Sequence, residues 1–247
     1  MTAEKILALK ELWREAFGDT DAFIDAFFNV GFSPDRCHII EEKGQPVSVL
    51  YWFDCQLSSH RLAYIYGVAT RKSHRGRGLA RQLLTETHSL LKDQGYSCAV
   101  LVPGGEELFS FYRTLGYKNA TTVTVFSCQA ADGAVALREI SPSEYARLRQ
   151  AMLPAGGVVQ ADQALAFYQS YGRFYAGEDF LLAAAADKDT LFAQELLGNT
   201  DAAPGILQAL GHTKGSFRAP GAGREFAMYF PMTPNCPRPS YFGLALD

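Results

Sequence analysis

Apolar positions recur along the first part of the chain with two alternating periods. In "MTAEKILALKELWREAF", Ile6, Leu9, Leu12, Trp13, Ala16 and Phe17 fall on one helical face with charges opposite. This spacing predicts a surface helix on a core, unlike the unbroken apolar region of a signal peptide. "DTDAFIDAFFNVGF" predicts a second helix, capped by Asp19 or Asp21, with Phe23, Ile24, Phe27 and Phe28 inward. Residues 47–57 and 62–70 then alternate with period two, and the polar link "SSHR" makes them an antiparallel hairpin. A helix from about Gly78 to Gln94 buries Leu79, Leu83, Leu84, Leu90 and Leu91, and Gly95 stops it. "SCAVLV" at 97–102 reads as a strand covered on both faces. "PGG" breaks it, Glu106 and Glu107 open a helix running to Gly116, and 120–128 is again a strand.

Between 129 and 136, "QAADGAVA" is weakly patterned and the character of the chain changes. The expected division is 1–128 and 129–247. The second part predicts a strand near "LREI", a helix from Pro142 and an aromatic helix at 162–175. Strands near 179–186 and 190–197, a helix at 204–210 and strands at 215–219, 225–231 and 241–246 complete it. Both parts are mixed α/β in roughly the same element order. No sequence repeat accompanies the similarity, so an internal structural duplication stays open.

Composition narrows the class. Of 247 residues, 48% are hydrophobic and 20% charged, and the net charge is −3. A chain built as a whole for nucleic acid or an anionic membrane would be basic. The longest apolar run, "FLLAAAA" at 180–186, is far short of the roughly 20 residues a membrane helix needs. The cysteines Cys37, Cys55, Cys98, Cys128 and Cys236 are odd in number and form no C-x-x-C pair. They are expected to be reduced core residues in a cytoplasmic protein. Neither they nor His38, His60, His74 and His88 show metal-ligand spacing, so no metal is expected.

Against this mildly acidic background, "RKSHRGRGLARQ" at 71–82 concentrates Arg71, Lys72, Arg75, Arg77 and Arg81. The stretch follows directly on a predicted strand and runs directly into an amphipathic helix, with Gly76 and Gly78 at the turn. Glycines let backbone amides converge, and the helix start presents unpaired N–H groups and its positive dipole end. Together these describe an anion cradle. A duplex-binding patch would instead spread basic residues along one helix face, yet after Arg81 this helix carries only Lys92. Arg71, Lys72 and Arg81 remain open between plain surface charge and contacts to outer phosphates.

The string Arg75-Gly76-Arg77-Gly78-Leu79-Ala80 resembles the R/Q-x-x-G-x-G/A motif of the GNAT superfamily of acyl-CoA-dependent N-acyltransferases. The preceding "YIYGVAT" is similar to that family's fourth strand, and "LFSFYRTLGY" at 108–117 to its F-Y-x-x-x-G-F/Y element. The resemblance implies a mixed α/β GNAT fold with acetyl-CoA as donor. It implies that backbone groups of Val68 and Thr70 lie along the pantetheine arm. The amides of Arg75, Gly76, Arg77, Gly78, Leu79 and Ala80 would hold the pyrophosphate, with His74 beside them. Tyr112 would stand near the thioester sulfur and return a proton to the departing thiolate. An Asn often precedes that Tyr in the family where this chain has Gly105, so one side-chain contact to the donor is lost or supplied elsewhere.

The resemblance further implies an N-acetyltransferase acting on a small-molecule or peptide amine by direct attack in a ternary complex. The alternative is a non-catalytic acyl-CoA-binding sensor or scaffold whose second part binds a partner. Asp54, Tyr64, Tyr66 and Glu41 are the candidates for the base. A covalent route through Cys98 is disfavoured, because Cys98 lies in an apolar strand without a nearby His. The second part has a strand–turn–helix, "GNTDAAPGILQALG", but no arginine and no G-x-G. It is expected to be a smaller α/β domain; if it is a degenerate GNAT-like half, as in tandem members resembling the enhanced-intracellular-survival acetyltransferases, it has no CoA site. Some of those use a C-terminal carboxylate as base, which here would fall at Asp247. Neither nucleic acid nor membrane is expected as partner, and monomer and homodimer both stay open.

Overall fold

Thr2 and Gly18 bracket the first helix, α1 (Ala3–Phe17). In the computed structural model of the chain, which describes residues 1–133, 135–160 and 162–246, the Thr2 hydroxyl accepts the Lys5 N–H at 3.3 Å. Gly18 takes φ +75° and donates its N–H to the Arg14 carbonyl, the left-handed stop that a residue with a Cβ resists. Leu9, Leu12 and Trp13 form the buried stripe. The second helix, α2 (Asp21–Ala26), is capped by Thr20 and not by either aspartate. Thr20 has the extended backbone that lets its hydroxyl reach the Phe23 N–H at 3.3 Å. Asp19 instead accepts the Trp13 indole N–H at 2.7 Å. The helix continues as one π-helical turn, Phe27–Gly31.

Next along the chain are strands β1 (Cys37–Glu42), β2 (Gln45–Leu57) and β3 (His60–Thr70), then α3 (Leu79–Asp93), β4 (Cys98–Leu101), α4 (Glu106–Arg113) and the two-residue β5 (Lys118–Asn119). β1, β2 and β3 pair antiparallel, and β3 pairs parallel with β4. Two irregularities shape the end of β3. Opposite Leu50, β3 holds two residues, Gly67 and Val68, where β2 holds one. Gly67 has φ +59°, and a Cβ there would come within 3.1 Å of the Tyr51 ring and 3.2 Å of Trp13. This is a β-bulge only glycine accommodates. The parallel ladder between β3 and β4 pairs Leu62 with Cys98 and Tyr64 with Val100, and registers no pair beyond.

The helix α3 buries His88 with its leucines. His88 Nε2 and Tyr117 Oη are 2.8 Å apart, and the imidazole stacks on Phe230 at 4.0 Å. Burial pushes His88 down to about 4 from 6.5. The folded state therefore binds a proton less readily than the unfolded one. The stabilisation is complete above pH 6.5 and is lost as pH falls to about 4, amounting to about 3 kcal/mol. Urea unfolding across this window should show the loss, and His88→Gln should flatten it; an unchanged pH slope in the variant would exclude His88 as its source.

The second set of elements comprises β6 (Thr122–Gln129), β7 (Leu137–Ile140), α5 (Pro142–Met152), β8 (Val159–Gln160), α6 (Asp162–Gln169), β9 (Arg173–Gly177), β10 (Phe180–Asp187), β11 (Thr190–Gly198), α7 (Ala203–Leu210), β12 (Lys214–Pro220), β13 (Arg224–Glu225) and β14 (Met228–Pro231). One sheet runs β13-β6-β12-β11-β10-β9-β7, with β11 and β12 parallel. α7 covers one face of it, packing Ile206 and Leu207 among Leu182, Ala184, Leu191 and Phe217. The aromatic helix predicted over 162–175 stops at Gln169. Gly172 breaks it, where a Cβ would strike the Tyr168 ring at 2.5 Å, and Phe174 and Tyr175 lie in β9. The strand predicted over 241–246 is irregular apart from one bridge at Tyr241. Beyond that bridge, side chains reach two of its carbonyls: Gln160 Nε2 donates to Leu244 O at 2.5 Å and Arg218 Nη1 to Gly243 O at 3.2 Å. Asp247 lies outside the described residues.

The chain forms two compact units, neither continuous in sequence. One comprises Met1–Leu101, Gly105–Lys118 and Tyr229–Cys236; the other comprises Val102–Gly104, Asn119–Met228 and the chain from Pro237 on. A single cut after residue 128 does not reproduce them, because β6 pairs along its length with β12. Each unit repeats the order helix, helix, three antiparallel strands, helix and a parallel strand. In the second unit too, the strand before that helix carries a bulge, at Gln194. The sequence left such a duplication open, and the topology shows it.

Candidate active site

β3 ends at Thr70 and α3 begins at Leu79. Between them Gly76 and Gly78 adopt φ +76° and +78°, the left-handed backbone that glycine takes at no steric cost. The first backbone bond entering α3 is Gln82 N–H to Gly78 O, at 3.0 Å. Among the described residues, no acceptor meets the N–H groups of Gly76, Arg77, Gly78, Leu79, Ala80 or Arg81. Among the same residues, no side chain caps this helix start. Six successive free donors at the positive end of a fifteen-residue helix form a ready anion site.

The arginines that make the stretch conspicuous are largely committed to holding the loop itself. Arg71 donates to Pro46 O at 3.0 Å, to Glu15 Oε2 at 3.2 Å and to Ala8 O at 3.4 Å. Glu15 Oε1 also accepts the Lys72 N–H at 2.5 Å, and these bonds hold its carboxyl below the usual range. Arg77 pairs bidentately with Glu42 at 2.5 and 3.2 Å, which holds that carboxyl low as well. His74 Nε2 lies 3.5 Å from the same Glu42, and Arg75 donates its Nε–H to Thr70 O at 3.2 Å. Arg81 grips the end of α4, donating to Thr114 O at 3.2 Å and Thr114 Oγ1 at 2.9 Å. The loop is thus pinned by carboxylates from α1 and β1, residues 15 and 42, which no local motif announces. With Arg71 and Arg77 neutralised, the anion site rests on backbone donors. Lys72, Arg75 and Arg81 are the stretch's cations without a carboxylate ion pair among the described residues.

Val68 and Thr70 sit at and just beyond the bulge of β3, and the Thr70 hydroxyl is 2.8 Å from Ser48 Oγ. Tyr112 lies in the last turn of α4, only 7% exposed, edge-on to Phe111 and Tyr117 at 5.3 and 5.5 Å. Burial pushes its phenol up to about 12. The Arg81–Thr114 bonds tie the first turn of the cradle helix to the end of Tyr112's helix, two residues past Tyr112. Gly105 precedes α4 and offers no side chain to a ligand or to the helix start.

Two of the base candidates are already paired. Asp54 meets Arg36 at 3.0 Å and Arg61 at 2.8 Å and accepts the Tyr96 hydroxyl at 2.5 Å. Burial raises its carboxyl, but these hydrogen bonds and charges outweigh it and hold the group low. Glu41 is paired to Lys5 at 2.5 Å. Tyr64 and Tyr66 belong to an aromatic cluster with Phe53, with ring centroids at 5.7 to 6.3 Å. Cys98 is fully buried and donates to Ala99 O at 3.2 Å. A hydrogen bond with Cys236 and burial raise its thiol far above the ordinary value, which removes it as a nucleophile at neutral pH.

Among the described residues, the second unit has no matching cradle. Its strand-to-helix turn runs from Gly198 through Asn199, whose side chain accepts the Asp201 N–H, into α7 behind Ala202. Arg218 donates to the carbonyl of the bulged Gln194 at 3.4 Å as well as to Gly243 O. The C-terminal segment and an arginine thus engage the bulge of β11.

Residues 1–120 match a sequence-family model described as an acetyltransferase (GNAT) domain. No curated protein sequence matches the chain. Among solved structures, the chain is similar to a GCN5-related N-acetyltransferase from Anabaena variabilis, at TM-score 0.72 and 15% identity, covering 94% of this chain and 71% of that one. A GCN5-related N-acetyltransferase from Kribbella flavida is similar at TM-score 0.68 and 20% identity over the same shares. A tandem GNAT protein from the clavulanic acid biosynthesis pathway matches at TM-score 0.58 and 11% identity, covering 94% and 96%. The strand, glycine turn and helix of the cradle lie inside the matched 120 residues, so the part of the chain that carries the cradle is a GNAT-type acetyltransferase domain.

Proposed function

We propose that the protein transfers an acetyl group from acetyl-CoA to an amine of a small-molecule or peptide acceptor, by direct attack within a ternary complex. The observation that carries this reading is the run of unpartnered N–H groups from Gly76 to Arg81, a fit for the donor's pyrophosphate. Val68 and Thr70, at the bulge, supply backbone groups to the pantetheine arm. An amide there polarises the thioester carbonyl as negative charge develops on its oxygen. The acceptor nitrogen attacks that carbonyl carbon, the C–S bond breaks, and the electron pair leaves with sulfur. Tyr112 faces the developing thiolate. A phenol near 12 is a weaker acid than a thiol near 8.5, so complete proton transfer would be uphill. Tyr112 therefore acts by donating a hydrogen bond to the thiolate, and the proton lost by the amine leaves through water.

Substitution at Gly78 tests the cradle. A Cβ there meets nothing within 4 Å, and Asn and Asp tolerate its left-handed backbone better than other residues do. Gly78→Asp places a carboxylate beside the six donors and should weaken CoA binding by about tenfold or more in calorimetry. Gly78→Asn, its uncharged isostere, should retain most of the affinity. Equal affinities for the two variants would remove the cradle as the anion site. A screen of amines followed by thiol release identifies the acceptor.

A further inference from the structure

The face of the second unit's sheet opposite α7 carries exposed apolar and basic side chains over β11, β12 and β6. Cross-strand register sets out its residues in rows. Thr190 pairs with Lys214 and Lys214 with Gln129; Phe192 pairs with Ser216 and Ser216 with Ser127; Arg218 pairs with Val125. Two adjoining hollows lie on this surface and share Phe192 and Ser216. One, of about 350 Å³, is lined by Val125, Gln194, Arg218 and Arg224. The other, of about 600 Å³, extends toward Lys214 and Thr190. Volumes of this size suit a small molecule.

Three properties of the surface point to one ligand chemistry. Phe192 is 43% and Val125 41% exposed, two of the chain's few large exposed apolar side chains, and both lie mid-sheet, where water would ordinarily face polar groups. The lining carries Lys214, Arg218 and Arg224 and no carboxylate, although the chain as a whole is acidic. The nearby Glu225 is engaged by the Asn119 side chain. Among the described residues the Arg224 guanidinium and the Lys214 ammonium have no partner, while Arg218 lies 4.4 Å from the Phe226 ring and is anchored to Gln194 O and Gly243 O. An exposed ring on a sheet, flanked by fixed and free cations, offers a stacking platform beside an anion site. Phe192 and Arg218 are diagonal neighbours across β11 and β12, about 7–8 Å apart at the backbone, a separation that the sugar of a nucleotide spans.

We propose that this face binds a nucleoside phosphate, its base stacked on Phe192 and its phosphate held by Arg224 and Arg218. The site is separate from the cradle in the first unit and does not depend on the transferase reading. The test is calorimetric titration of the full chain with AMP. Phe192→Ala and Arg224→Glu, both at exposed positions, should each weaken AMP binding by about tenfold, the effect of losing one stacked base or one phosphate contact. Adenosine, lacking the phosphate, should bind correspondingly more weakly than AMP, and Gly78→Asp should leave AMP affinity unchanged. The proposal is overturned by absence of AMP binding, by unchanged affinity in both face variants, or by loss of binding in Gly78→Asp, which would put AMP in the cradle. Binding of an oligothymidylate without binding of AMP would likewise overturn it in favour of a single-stranded nucleic-acid surface.

Discussion

Glu195→Ala should destabilise the second unit by about 3–5 kcal/mol, the cost of leaving a buried charge without its partner. Glu195 is fully buried, and its carboxylate accepts from Arg149 Nε at 2.5 Å, Arg149 Nη2 at 2.9 Å, the Tyr145 hydroxyl at 2.5 Å and the Tyr241 hydroxyl at 3.0 Å. Arg149 is buried too and donates Nη1–H to Val158 O at 3.0 Å. Burial raises the Glu195 carboxyl, yet the Arg149 charge and the hydrogen bonds of Arg149, Tyr145 and Tyr241 outweigh it and keep the group ionised. Alanine would strand the guanidinium and two hydroxyls together and release the tail at Tyr241. Denaturant unfolding followed by far-UV dichroism measures the loss. Pairing Glu195→Leu with Arg149→Met should recover most of it, because neither charge then remains. A loss below about 1 kcal/mol, the scale of a solvated surface pair, would show that water reaches the network.

Tyr112→Phe should lower kcat about tenfold to a hundredfold, in line with about 1.5–3 kcal/mol for a hydrogen bond to a charged group. CoA affinity should stay nearly unchanged, since the phenol contributes only as the thiolate forms. A loss of ~10²–10⁴ would instead indicate that Tyr112 completes the proton transfer. With the phenol near 12, its protonation should leave kcat flat through the alkaline range up to about pH 11. Wild-type turnover in the variant would confine Tyr112 to packing against Tyr117 and Phe111.

Local sequence was enough for the backbone geometry contained within one stretch of chain. The strand, the two glycines at positive φ and the helix that starts at Leu79 are contiguous, and each follows from local propensity and steric freedom. The strand–turn–helix that presents these donors was therefore legible in the residues alone, as was the Gly95 stop of α3. Even the short-range signals have limits, as Thr20 shows by capping α2 in place of its acidic neighbours. Where the charges go was settled in three dimensions. Glu15 and Glu42 come from distant elements to neutralise Arg71 and Arg77, and Arg81 reaches Thr114, so a conspicuous basic cluster became a pinned loop with backbone donors. The same holds for β6 in the second unit's sheet, for Tyr229–Cys236 in the first unit, and for a tail whose apolar alternation gave no strand. Periodicity reports which side of a segment is buried, but strand pairing and ion pairing depend on partners far along the chain.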